Sequence, residues 1–325
     1  AGCDYVVMEV SSHALALNRV AGCEYDVAVL TNITQDHLDF HQTFENYKQA
    51  KAILFESLHT GNKPDKCAIF NMDDPSSEII IKSTKSPIMT YGKAETNDVY
   101  PLFWKIEAKH MQLDLQTPAG ELHLLLHITG EFNVYNVMAA VSAMIAEKIN
   151  LKVIEDTLNG FAGVPGRFQL VEAGQPYTVI VDYAHTPDGL ENVLKTARCI
   201  TKGKLWVVFG CGGDRDSKKR PIMAKIALTL ADNIVVTSDN PRSEDPELII
   251  ADIEKGLAGA TSDKEIYKVT DRREAINLAL TKAEPNDVIL IAGKGHENYQ
   301  ILKNETIHFD DCEVVRDFWE NKVQK

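Results

Sequence analysis

The sequence has no long hydrophobic run. Nothing in it approaches the roughly 20 consecutive apolar residues of a membrane-spanning helix, and no basic stretch followed by an apolar one opens it. No membrane partner is expected, and the cytosol is the expected compartment. Cysteine is sparse and unpaired in pattern: Cys3, Cys23, Cys67, Cys199, Cys211 and Cys312 are scattered. The absence of a C-x-x-C pair excludes a zinc or dithiol site built on that motif and leaves reduced thiols, most of them packing. Positive charge is short, since 34 Lys and Arg against 47 Asp and Glu leave a net charge of -13. Nucleic acid demands a basic face, so none is expected as a partner. Small anionic ligands stay open, because metal ions, backbone N–H groups and single arginines bind phosphate locally. Internal repeats and low-complexity linkers are also lacking.

What is present is an ordinary globular composition, 44% hydrophobic and 25% charged, over 325 residues, enough for two domains. The first residue is Ala1, and residues 5–10 already read as a buried strand, so a piece of a longer protein is expected. Residues 26–30 read as a second strand and 46–58 as a helix. Apolar/polar alternation at 102–108, 111–115 and 122–126, with Thr117-Pro118-Ala119-Gly120 as a turn, predicts an antiparallel meander. Helices follow at 131–148 and on to about 160. Dense punctuation at Gly163-Val164-Pro165-Gly166 marks a domain boundary, giving domains 1–164 and 165–325. Beyond it, strands at 178–181, 204–209, 233–237, 266–269 and 288–291 alternate with helices. The fold class is therefore α/β: a mostly parallel sheet with an appended antiparallel meander, then a Rossmann-like doubly wound domain.

The polar clusters follow strands. Glu9 to His13 comes after the first, residues 32–41 after the second, and Asp182-Tyr183-Ala184-His185, Gly210 to Arg215, Asp239-Asn240-Pro241-Arg242 and Gly293-Lys294-Gly295-His296-Glu297 after later ones. Ligands of open α/β sheets bind at the carboxyl ends of strands, which makes these clusters candidates for a binding crevice. Glu9 and Asp36-His37-Leu38-Asp39-Phe40-His41 supply carboxylates and imidazoles that could serve Mg²⁺, or equally cap helices and decorate a surface. Lys51 is more specific. It falls on the apolar stripe Tyr47, Ala50, Leu54, Phe55, Leu58 of its helix, where a lysine is either desolvated and nucleophilic or snorkelling at the edge. Asn133 and Asn136, three apart, project from one helix face and could read an adenine edge or bond neighbouring loops. Arg167 could hold a phosphate and Asp182 a ribose hydroxyl, or the two could belong to an ion pair between domains. The glycine-rich turns alone are weak evidence, and residues 239–242 could simply cap the next helix.

In order along the chain, Met8-Glu9-Val10-Ser11-Ser12-His13, Asp36-His37-Leu38-Asp39-Phe40-His41, Tyr47-Lys48-Gln49-Ala50-Lys51, Phe132-Asn133-Val134-Tyr135-Asn136, Val164-Pro165-Gly166-Arg167-Phe168, Val181-Asp182-Tyr183-Ala184-His185-Thr186-Pro187, Asp239-Asn240-Pro241-Arg242 and Gly293-Lys294-Gly295-His296-Glu297 resemble the Mur ligase family over essentially the whole chain. The resemblance implies an ATP- and Mg²⁺-dependent ligase. Its substrates would be UDP-N-acetylmuramoyl-L-alanyl-D-glutamate, activated as an acyl phosphate, and meso-diaminopimelate, whose amine attacks that intermediate. It further implies that Glu9, His37 and a carbamylated Lys51 hold metal, with Lys51 and His185 in the catalytic set. Ser11, Ser12 and Arg19 would contact the UDP-muramoyl peptide, and Asn133, Asn136, Arg167 and Asp182 the ATP. Arg215, Asp239, Asn240, Pro241, Arg242, Gly293 and Glu297 would form the amino-acid pocket. Two departures stand out. Leu17 occupies a position that is often polar in the family. The family's G-x-x-G-K-[ST] phosphate loop has no counterpart, because Gly92-Lys93, Gly203-Lys204 and Gly293-Lys294 are followed by Ala94, Leu205 and Gly295. That loop and a UDP-holding domain are expected upstream of Ala1, and the chain by itself is expected to be inactive. The alternatives are a folylpolyglutamate synthase-like ligase and a non-catalytic binding fragment.

Overall fold

The computed structural model describes residues 2–33, 38–60, 62–259 and 264–323. The chain forms two compact units: Ala1–Lys105 with Gln112–Leu125 and Phe132–Gly160, and Ile106–Met111 with Leu126–Glu131 and Phe161–Lys325.

In the first unit a parallel sheet of order β1 (Val27–Leu30), β2 (Cys67–Asn71), β3 (Ile88–Tyr91) is covered by helix α3 (Phe44–Thr60), after the short α1 (Ser12–Ala16) and α2 (Leu38–His41). The apolar stripe of α3 forms as its spacing predicts: Tyr47, Phe55 and Leu58 are buried against Ala28, Leu30, Ala68 and Phe70, and the Phe55 and Phe70 rings stack at 4.7 Å. A short α4 (Ser77–Ile80) follows β2. The predicted meander appears as β4 (Tyr100–Ile106), β5 (Met111–Thr117) and β6 (Gly120–Leu126). Met111, Leu113 and Leu115 face inward from β5, and Leu122, Leu124 and Leu126 from β6, the period-two pattern of a half-buried sheet. The 117–120 turn is closed by Thr117 Oγ1 donating to Gly120 O at 2.6 Å. Helices α5 (Glu131–Ala146) and α6 (Leu151–Asn159) end the unit, the latter capped by Asn150.

One expectation is overturned. Residues 5–10 form no strand, and Tyr5, Val6 and Val7 are 60%, 85% and 99% exposed. A strand exists only through ladder bonds to a neighbour, and among the described strands β1 bonds to β2 alone. Strands β2 and β3 were missed, because short apolar runs carry no period that separates strand from helix.

In the second unit the strands are β7 (Gln169–Leu170), β8 (Thr178–Asp182), β9 (Leu205–Phe209), β10 (Asn233–Val236), β11 (Glu265–Lys268) and β12 (Val288–Ala292), in the order β11-β10-β9-β12-β8-β7. All neighbours are parallel except β7, which runs antiparallel to β8. Helices α7 (Pro187–Ile200), α8 (Lys219–Leu230) and α9 (Pro246–Glu254) pack on one face, against Ile180, Val207, Phe209, Ile234 and Leu290. Helices α10 (Arg272–Lys282) and α11 (Asp311–Val323) pack on the other, against Val179, Val181, Val208, Val235, Ile289 and Ile291. Both faces of β8, β9 and β12 are thus buried, at about 1.5–3 kcal/mol for each large side chain removed from water, which explains their continuous apolar runs. The chain leaves β12 towards α11 on one face, whereas it leaves β8 and β9 towards α7 and α8 on the other. The switch points of the sheet therefore flank β12, where doubly wound folds bind ligands. A hairpin of β13 (Tyr299–Ile301) and β14 (Thr306–His308) follows β12.

Candidate functional site

In the first unit the sequence-predicted residues gather near the start of α1 and on α3. Ser11 is the N-cap of α1 and accepts from Ala14 N at 3.1 Å. Ser12 is buried, its Oγ 2.9 Å from His41 Nε2, so its hydroxyl is engaged within the unit. Arg19 and Glu9 are exposed. Lys51 is half-buried on its stripe, and its Nζ donates to Val10 O at 3.2 Å. Burial pushes the amine below its ordinary value, and the nearby charge of Glu9 pulls the other way. His37 and Asp36 lie outside the described residues. Among the described residues no group of three or more His, Cys, Asp or Glu is placed to hold a metal ion. Glu9 with Lys51 fits Mg²⁺ only if the amine becomes an oxygen ligand, since an ammonium repels a cation and Mg²⁺ takes oxygen donors. A desolvated amine is suited to that conversion, because only its neutral form adds CO₂. On α5, Asn136 Nδ2 donates to Asn133 Oδ1 at 3.0 Å, so the two amides share a face and are joined to each other.

In the second unit the clusters collect at the carboxyl ends of β8, β9, β10 and β12. Asp182 ends β8 buried, with its two oxygens accepting Phe168 N and Ala184 N, both at 2.7 Å. Burial raises its pKa, opposed by those two N–H groups and by Arg167. Exposed Arg167 lies 5.2 Å from the Tyr183 ring centroid. His185 Nδ1 is 2.8 Å from Tyr183 O, and Lys219 Nζ donates to His185 O at 2.7 Å. Gly166 has φ 70° and lies so close to His296 N that no Cβ fits. The glycine there brings the Val-Pro-Gly-Arg turn against the loop after β12.

The 239–242 segment is no helix cap, since α9 is capped by Asp245. It is a buried loop, with Asp239 and Asn240 at 7% and 3% exposure. Arg242 sits at φ 52°, and its Nη1 donates to Gly213 O at 2.9 Å and Asn240 O at 3.4 Å. Among the described residues, its Nε and Nη2 bond no other acceptor. Asn240 Nδ2 donates to Glu297 Oε2 at 2.9 Å. Gly293 has φ 120°, and a Cβ there would strike Asp239 Oδ2. Gly213 packs under Pro241 O in the same way. Arg215 is exposed, with Nη1 donating to Asp214 O at 3.0 Å.

Three buried cations have no role assigned from the sequence, although Lys294 lies in one of its motifs. Lys294 is fully buried beside Asn240. Arg272 forms a fully buried two-point pair with Asp311, Nε to Oδ1 at 2.8 Å and Nη2 to Oδ2 at 2.7 Å, and donates to Ala292 O and Ser238 O. Arg220 spans Glu244 at 2.9 Å and Asp252 at 3.0 Å. Arg272 with Ala275, Ile276 and Ala279, and Arg220 with Met223, Ala224 and Ala227, repeat the stripe signal that singles out Lys51.

Two family models match, the Mur ligase middle domain over residues 1–144 and the Mur ligase, glutamate ligase domain over residues 166–295. UDP-N-acetylmuramoyl-L-alanyl-D-glutamate–2,6-diaminopimelate ligases of Bacillus cereus and Bacillus licheniformis are 49% and 50% identical over 97% of this chain and 64% of their own length. The chain therefore spans about 64% of the length of these relatives. A solved structure of an enzyme of the same name superposes with a TM-score of 0.69 at 38% identity, covering 97% of this chain and 64% of that one. With this order of motifs on these two folds, the chain belongs to the Mur ligase family and comprises its middle and C-terminal domains.

Proposed function

We propose that this chain belongs to an ATP-dependent ligase of peptidoglycan precursor synthesis that joins meso-diaminopimelate to UDP-N-acetylmuramoyl-L-alanyl-D-glutamate in the cytosol. The observation that carries the reading is identity at about half of all aligned positions with two ligases of that name. In the reaction, the D-glutamate side-chain carboxylate takes the γ-phosphoryl group of ATP and ADP leaves. The diaminopimelate amine then attacks the acyl carbon; phosphate leaves and the amine gives up its proton. Residues 1–164 form the central ATP-handling domain and residues 165–325 the amino-acid-binding domain. Glu9, His37 and Lys51, carbamylated by CO₂, would hold Mg²⁺, which when bound would supply countercharge for the phosphoryl group. Ser11, Ser12 and Arg19 meet the UDP-muramoyl peptide. Asn133, Asn136, Arg167 and Asp182 serve ATP, with Asp182 acting from behind by fixing the backbone on which Arg167 stands. His185, held at its Nδ1, completes the catalytic set.

Selection of the amino acid rests on Arg242. Meso-diaminopimelate differs from lysine by one carboxylate on the far carbon, and a guanidinium edge with Nε and Nη2 free can grip it through two parallel hydrogen bonds. Lysine would leave that edge unpaired, which is how a polar site rejects a near-isostere. Arg215, Asp239, Asn240, Pro241, Gly293 and Glu297 shape the remainder. In the full-length enzyme, Arg242→Ala should raise the KM for meso-diaminopimelate by at least about tenfold, since each charge-assisted bond is worth roughly 1.5–3 kcal/mol, while the KM for ATP holds. Wild-type enzyme that takes L-lysine as readily as meso-diaminopimelate would sink this assignment.

A further inference from the structure

Lys294 is the most deeply buried amine among the described residues of the second unit, and none of the roles above uses it. Its Nζ donates to Asn240 Oδ1 at 3.0 Å and to Tyr299 O at 2.6 Å, and lies 3.6 Å from Glu297 Oε2. One ammonium thus touches the loop after β10, the turn after β12 and the first residue of the hairpin. Around it the hairpin is laced to the loop. Ile301 N donates to Asn240 Oδ1 at 2.9 Å, Arg242 N donates to Ile301 O at 3.1 Å, and Gln300 Nε2 donates to Asp239 O at 2.6 Å.

A lysine without exposure loses its hydration and is kept only where its donors are satisfied and an acid is near. Here both requirements are met by the loop and the hairpin themselves. Removing the ammonium therefore loosens the tie between the two, leaving the three lacing bonds to hold it, rather than opening a hole in the sheet. Asn240 Oδ1 stands between two donors and Nδ2 donates to Glu297, so the amide cannot turn over without losing bonds on both sides. The backbone of Arg242, in the left-handed region, depends on the same lacing through Ile301.

We infer that Lys294 is the positioning residue of the 239–242 loop, acting through Asn240 and the β13–β14 hairpin to hold the Arg242 guanidinium where it receives the acceptor amino acid. The inference deepens the proposed function and rests on the reading of that loop as the acceptor pocket. Lys294 touches no substrate in this account; the hairpin becomes a specificity element by holding the loop.

The test has two arms. In the full-length enzyme, Lys294→Met and Gln300→Met should each raise the KM for meso-diaminopimelate, the former by about tenfold or more given the worth of a charge-assisted bond, with the KM for ATP unchanged. A purely structural role would move both constants or neither. In the 325-residue chain itself, the backbone amides of Ile301 and Arg242 should exchange faster in both variants, while those of β8, β9 and β12 keep their protection. Gln300→Met removes no buried charge, so it still decides the matter if Lys294→Met fails to fold. Normal acceptor KM in a folded variant, in an enzyme that does ligate meso-diaminopimelate, overturns the inference and leaves the proposed function standing. If wild-type enzyme does not ligate meso-diaminopimelate, the proposed function fails. The exchange arm then decides alone: faster amides at Ile301 and Arg242 keep Lys294 as the loop's anchor, and unchanged amides overturn it.

Discussion

Lys51 on α3 and Arg272 on α10 occupy the same kind of position, a cation in the apolar stripe of a helix that covers a parallel sheet, yet their surroundings differ. Arg272 is enclosed, with a carboxylate bonded at two points and two carbonyls taking further protons. Lys51 is half-buried and, among the described residues, bonds one carbonyl and no carboxylate. A guanidinium never gives up its proton in a protein, so burying one requires an acid; an amine can lose its proton instead. The first arrangement fixes its neighbours through four bonds, and the second leaves an amine able to shed its proton. The contrast extends to the neighbouring candidates: Glu9, Ser11, Arg19 and Asn136 are exposed, whereas Asp239, Asn240 and Lys294 are buried, with Lys294 bonded to Asn240 and Gln300 to Asp239 O.

The sharpest way to break the comparison is to remove the enclosed cation. Arg272→Met leaves Asp311 charged and buried with no countercharge, a change that typically costs about 3–5 kcal/mol. Urea unfolding followed by the buried Trp206 of the second unit should show a much lower midpoint. If the unfolding free energy falls by less than about 0.5 kcal/mol, the scale of ordinary surface changes, the pair does not frame the loop. Arg272→Met with Asp311→Leu should recover most of the loss, since replacing both partners with apolar groups is often neutral.

A smaller effect is expected at Gly293. Its φ of 120° suits glycine, and the space a Cβ would need is held by Asp239 Oδ2. Gly293→Ala should cost about 1–3 kcal/mol in the second unit and raise the acceptor KM of the full-length enzyme by displacing Asp239. Unchanged stability together with unchanged KM would show that the loop gives way freely and is no rigid frame.

Much of this was legible in the sequence, and the failures have a common cause. Periodicity revealed α3 and the meander, because a face that must be buried has to repeat with its element, and the five predicted strands of the doubly wound sheet were legible as continuous apolar runs alternating with helices. Periodicity revealed Lys51 for the same reason as α3. The identical signal at Arg220 and Arg272 passed unremarked, although Arg272 lies on one stripe with Ala275, Ile276 and Ala279. Their partners Glu244, Asp252 and Asp311 stand 24, 32 and 39 residues away, and no spacing rule brings such residues together. The hydrogen bonds at Asp182 were hidden likewise: a polar residue at a strand end reads as a ligand contact, whereas its oxygens are taken up by the backbone of Phe168 and Ala184. The residues 5–10 failed for another reason, since apolar content states a need for cover and does not supply the neighbouring strand.

The smallest stability effect is expected where the chemical effect should be greatest. Burial lowers the pKa of Lys51 from its ordinary 10.5, against the pull of Glu9, so the folded chain binds fewer protons at this site than the unfolded chain. Stability linked to this group is then fully present above the unfolded value and is lost as pH falls through the lowered folded value. At neutral pH the charged amine is a burden on the first unit, reduced because the side chain is only partly buried. Lys51→Met keeps the stem that packs on the stripe and removes the burden, at the loss of one 3.2 Å bond to Val10 O. The net change in the first unit at pH 7 should lie within about 0.5 kcal/mol, the usual range away from paired charges. The variant should gain relative to wild type as pH falls from 10.5 through the depressed pKa. The same substitution in the full-length enzyme should abolish ligation, because the methionine cannot add CO₂ and supplies no oxygen to a metal. Formate or acetate, which restore the missing oxygens, should return part of the activity. A loss of stability above about 2 kcal/mol at neutral pH, the cost of a buried polar partner left unmatched, would mark Lys51 as a structural cation like Arg272; near-normal turnover would mark it as a snorkelling one.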